Sequence, residues 1–102
     1  MHELMEVAKY MRKELECADM YAYEANKHKD ELPEMAQHYY KAALEHMVIA
    51  DTLREGVYRM LDAKKRMGHE DLDDAKKVWA FEVEMDMDKR ECVQRKLDMY
   101  KA

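Results

Sequence analysis

Proline, glycine and cysteine are scarce in this chain: 102 residues hold one Pro, two Gly and two Cys. A chain so poor in turn formers has few places to reverse direction, and a fold of many short strands needs many. With 48% hydrophobic and 40% charged residues and 11 methionines, the composition suits helices and excludes a β-rich fold. Cys17 and Cys92 form no CxxC pair, which excludes a disulfide scaffold and a zinc knuckle; both are read as small, reduced packing residues. A glycine-rich phosphate loop, a nucleophile elbow and a Ser/His/Asp arrangement are also missing, so nucleotide binding and hydrolase chemistry have no support. The net charge is -5, but acidic and basic residues are interspersed. No basic stripe results, and nucleic acid is not an expected partner. Met1-His2-Glu3-Leu4 runs directly into helical periodicity without a basic leader, and no apolar run reaches membrane-span length. The expectation is a cytoplasmic protein with no membrane partner.

What is present is helical periodicity. The length suits a single domain over residues 1–102. Breaks fall in two places. Between Asn26 and Pro33, Asp30 is placed to cap a new helix, with Pro33 in its first turn. Around Gly68, Lys64, Lys65 and Arg66 suit a helix C-terminus, and Glu70 and Asp71 suit the next N-terminus. The predicted helices run from Glu3 to His28, Pro33 to Met67 and Glu70 to Tyr100, with Gly56 inside the second as a tolerated or close-contact glycine. The expected class is all-α, with three long antiparallel helices.

Projected at about 100° per residue, the first helix presents a stripe of Val7, Met11, Glu14, Ala18, Tyr21 and Ala25, flanked by Leu4, Tyr10, Cys17 and Ala22. The second presents Met35, Tyr39, Ala42, Ala43, His46, Ile49, Ala50, Leu53, Val57, Met60 and Leu61. The third presents Ala75, Val78, Trp79, Glu82, Met85, Asp86, Val93 and Tyr100, broadened by Phe81 and Val83. Each stripe has an ionisable residue at its middle: Glu14, His46 and Glu82. A buried, unpaired charge is costly, so three such intrusions predict a polar site inside the bundle. Counted from a turn near Lys29 and Asp30, Glu14 and His46 lie equally far up a helical hairpin, on the order of 25 Å. They are therefore expected to be neighbours. On the third helix Asp86 comes nearer their level than Glu82. Between Ala42 and Ala50 only Glu45 and His46 interrupt the apolar residues. A helix apolar on so many sides predicts further burial by a copy of itself, most simply a two-fold homodimer packing hairpin on hairpin into a four-helix core.

The segment Glu14-Leu15-Glu16-Cys17-Ala18-Asp19-Met20-Tyr21 resembles the first bundle helix of the ferritin-like superfamily, where a metal-ligating Glu is followed seven residues later by a Tyr near the same site. Tyr39-Tyr40-Lys41, Glu45-His46 and Ala50-Asp51-Thr52-Leu53 are similar to that family's second helix. The resemblance covers roughly the first 60 residues. It implies a ferritin-like bundle completed by oligomerisation, with iron or another divalent transition metal as cofactor and iron oxidation or storage as the associated chemistry. The family's Glu-x-x-His motif is absent. Aligning Ala50 and Leu53 puts His46 at the motif's Glu and Ile49 at its His; aligning His46 on the motif's His puts Ala43 at the Glu. One carboxylate is missing either way, so a site would have to be assembled across subunits, and a bundle that has lost its metal fits equally.

The metal reading takes Glu14, His46, Glu45, Glu82 and Asp86 as ligands, with Tyr21 and Tyr39 as hydrogen-bonding or redox-active neighbours of the cofactor. Enzymatic work, if present, would rest on Glu14 and His46. In the structural reading Glu14 pairs with His46 or a tyrosine hydroxyl, Glu82 and Asp86 form an ion-pair ladder with Lys89 and Arg90, and the tyrosines are core. His28 and His38, near the turn, are read as solvated. The second function class is then a non-catalytic helical oligomerisation or interaction module, whose buried Glu and His set register and partner choice.

Overall fold

A computed structural model describes residues 2–67 and 72–102. Three helices account for nearly all of them: α1 (His2–His28), α2 (Pro33–Met67) and α3 (Leu72–Lys101). There is no strand among the described residues, and none of the described helices is long and apolar enough to cross a membrane. The helices lie side by side in a rod of 56 × 18 × 18 Å.

The turn between α1 and α2 closes tightly. The Leu32 N–H donates to the His28 carbonyl at 2.9 Å, and the Leu32 carbonyl accepts from the Ala36 N–H at 2.9 Å. Leu32, not Asp30, therefore holds the capping position. Pro33 is the first helical residue, where its fixed φ fits and its missing N–H costs nothing. The predicted stop at Gly68 and the carboxylates Glu70 and Asp71 lie outside the described residues.

On α1 the buried residues are Leu4, Ala8, Met11, Leu15, Ala18, Ala22 and Ala25, alternating steps of four and three. On α2 Ala36, Ala43, Ala50 and Val57 repeat every seven residues, each 0% exposed. This heptad pattern is that of helices wound at a small crossing angle. Its alanines let the α1 and α2 backbones come close. The expected α1 stripe shares Met11, Ala18 and Ala25 with the observed seam but takes Val7, Glu14 and Tyr21 as companions. The structure takes Ala8 and Leu15, with Leu4 and Ala22 drawn in from the expected flank, because that seam is apolar throughout and leaves Glu14 at the edge.

α1 packs on both neighbours, most extensively on α2, whereas α2 and α3 meet only marginally. α3 runs parallel to α1 at a constant offset: Arg12 with Glu82, Asp19 with Lys89, and Asn26 with the Lys96 carbonyl are each 70 residues apart. Two apolar clusters result, one around Leu4, Met11, Leu15, Val57 and Trp79, the other around Ala18, Ala22, Ala43, Val93 and Leu97. Asp86 lies midway along α3 between Trp79 and Val93, 2% exposed. Phe81 and Met85, expected on the α3 stripe, are 62% and 44% exposed, and Tyr10 on α1 is 51% exposed. They sit beyond the angular reach of a seam that is narrower than the projected one. Truncating Leu15 to Ala should cost about 2–5 kcal/mol of unfolding free energy. Phe81→Ala should change it by no more than about 0.5 kcal/mol. Urea unfolding followed by circular dichroism separates the two.

Candidate site on the open edge of the α1/α2 hairpin

One edge of the α1/α2 pair is covered by α3. The opposite edge carries the residues at 14, 21 and 28 of α1 and at 39 and 46 of α2. His46 Nδ1 and Glu14 Oε2 are hydrogen-bonded, with each side chain 26% exposed. The His46 ring stacks on Tyr21 at 5.3 Å between centroids, Tyr21 on Tyr39 at 6.1 Å, and Tyr39 on His28 at 5.9 Å. His28 Nε2 then lies 3.1 Å from Glu24 Oε2. Four rings drawn alternately from α2 and α1 thus form a ladder with a carboxylate at each end. Stacked rings with hydrogen-bonded ends bury apolar faces while keeping their polar atoms satisfied. His28 is accordingly part of the ladder rather than solvated; its i,i+4 spacing from Glu24 was the available signal.

The other predicted ligands lie elsewhere. Glu45 is exposed on α2. Glu82 faces α1, where Arg12 donates to it at 3.2 Å. Asp86 accepts from Arg90 Nε at 2.6 Å and has Arg54 at 3.8 Å, while Arg90 also holds Asp51. The Asp86–Arg90 pair is the i,i+4 contact of the structural reading. Lys89 leaves that ladder for Asp19 on α1. Tyr40 stacks on Tyr100 at 4.6 Å, on the α3 side. Among the described residues no three His, Cys, Asp or Glu side chains converge as a metal site would require.

Charge and burial pull against each other on α3. Burial works against the Arg90 charge, but Asp86 and then Asp51 outweigh it and raise its pKa above the ordinary value. Trp79 Nε1, Glu82 Oε2, Asp86 Oδ1 and Arg90 Nη2 are buried without a hydrogen-bond partner among the described residues, all on the inward side of α3. Each such atom costs stability. Asp86 and Arg90 nevertheless depend on each other. Asp86→Ala should destabilise the fold by about 1–3 kcal/mol, because it removes the buried partner of the guanidinium and leaves it only the exposed Asp51. Asp86→Leu combined with Arg90→Leu should recover most of that loss in the same unfolding assay.

Asp19 clamps α3 from the other helix, accepting from Lys96 at 2.5 Å and Lys89 at 3.2 Å. Partial burial opposes its charge, yet the hydrogen bonds from Lys96 and Lys89 prevail and hold its pKa below the ordinary value. The folded-state value being lowered, this stabilisation is complete above the unfolded value, about 4, and is lost as pH falls through the lower folded value. Asp19→Asn should therefore be less stable than the parent at neutral pH, and its stability should change less on acidification below about pH 4. Thermal melts across that pH range measure both effects.

No protein-family model, curated protein or solved structure matches this chain.

Proposed function

We propose that this chain is a non-catalytic helical assembly module, in which the Glu14–His46 pair and its ring ladder fix how α1 and α2 face each other. The supporting observation is that Glu14 and His46 are bonded to one another, with no third ligand residue converging on them among the described residues. A half-buried polar pair of this kind favours one alignment of two helices over its neighbours, at some expense in stability. Replacing both residues by Leu should keep or raise the melting temperature while changing the molar mass in solution. A lower melting temperature with unchanged mass would sink this reading.

A metal-binding reading, with the ferritin-like resemblance behind it, draws support from one further feature. His46 uses Nδ1 for the carboxylate, the arrangement in which a histidine offers Nε2 to a metal. Iron or another divalent transition metal would then need ligands from a second copy. Ferrous iron should raise the melting temperature of the parent by mass action and leave the Glu14→Leu/His46→Leu protein unmoved. Equal response of both proteins would remove Glu14 and His46 as ligands.

A further inference from the structure

α2 carries two heptad seams. The first, with Ala36, Ala43, Ala50 and Val57, is consumed by the bundle. The second begins one residue earlier and repeats at the same interval: Met35, Ala42, Ile49, Gly56 and Ala63. Its companions are Tyr39, His46, Leu53 and Met60, which are half-buried against α1. Steps of four and three thus continue for nine positions with one ionisable residue, His46, already bonded to Glu14. The outward members are only partly covered: Ala42 and Gly56 are half-buried, Ala63 is exposed, Met35 is 49% and Ile49 42% exposed, and a Cβ added at Gly56 would meet nothing within 4 Å.

We propose that a second copy of this chain docks on this outward seam, its α2 antiparallel to the first across a two-fold axis level with Asp51. The register follows from size and charge. In an antiparallel pair the two kinds of seam position face each other in layers. About this axis Tyr39 meets the partner's Ala63, Met60 meets the partner's Ala42, and His46 meets the partner's Gly56. Each of these layers sets a bulky side chain against a small one. Nearest the axis, Ile49 meets the partner's Leu53. Along the rim, Glu45 falls opposite the partner's Arg59, and the symmetry makes that pair twice. Both are exposed, and neither forms an ion pair or hydrogen bond among the described residues. The area is adequate. Paired about this axis, the seam from Tyr39 to Ala63 is about 36 Å long at helical rise. On a rod 18 Å wide that gives about 650 Å² per copy, within the roughly 600–1,000 Å² per partner of a stable interface.

The docking rests on the assembly reading above but names a face and register that reading does not require. It also separates the two His46 rings by about 15 Å along the axis, too far to share a metal. The test is molar mass in solution by sedimentation across a concentration series. The parent should be a dimer. Glu45→Arg alone, or Arg59→Glu alone, sets like charges together at both rim pairs and should weaken dimerisation about tenfold or more. The protein carrying both changes should regain parental affinity. Gly56→Trp should give a monomer of unchanged helix content, because a Cβ there meets nothing within 4 Å in its own chain and the indole meets the partner's His46 in the dimer. An oligomer indifferent to the single charge reversals overturns this register and leaves self-assembly standing. A parent that stays monomeric throughout overturns the docking and self-assembly together.

Discussion

Where Ala18 and Ala22 of α1 pack with Ala43 of α2, the side chains are too small to hold two helices apart. The backbones close until flanking residues touch, and the rest of the molecule follows from that approach. Residues on the margins of the seam, which in wider-spaced helices would reach separately into water, are brought into stacking and hydrogen-bonding range. Glu14 finds His46 for this reason, and the rings of Tyr21, Tyr39 and His28 interleave beyond it. α3 has no comparable alanine seam. It is held by a few large apolar residues, by charges reaching from α1, and by Asp86 with its arginines.

The same closeness explains why the polar site has modest means. Two groups whose hydrogen-bonding atoms are turned toward each other are largely occupied. Carboxylates that might have joined them are engaged on the far side of α1, Glu82 by Arg12 and Asp86 by Arg90. The assembly reading draws on this partition. The ferritin-like resemblance rests on the order of residues along α1 and α2, and order alone does not bring side chains together.

Much of the fold was legible because helix periodicity and scarce turn residues are strong local signals. The helix limits around the first turn, the equal height of Glu14 and His46, and the all-helical class all follow from counting residues. The choice between adjacent seams was less accessible. Met11, Ala18 and Ala25 belong to both candidates on α1, and a flat helical projection gives Glu14 and Leu15 similar claims to the centre. Packing decides between them by favouring the wholly apolar seam, and that preference exists only once a second helix is present. Phe81 misled for a related reason, since hydrophobicity marks a residue as able to be buried without supplying a neighbour to bury it.

The constant offset between α1 and α3 has an awkward property. Seventy is a multiple of seven, so sliding α3 by one heptad would bring apolar positions back onto apolar positions, as on a ruler with identical graduations. Asp86 is the graduation that differs. A slip in either direction would carry it away from Arg54 and into a layer now filled by Trp79 or Val93. The outer charges reinforce it: one direction sets Arg12 against Lys89, the other sets Asp19 against Glu82. The polar atoms that make α3 costly to bury are thus also what makes its position along the rod unique.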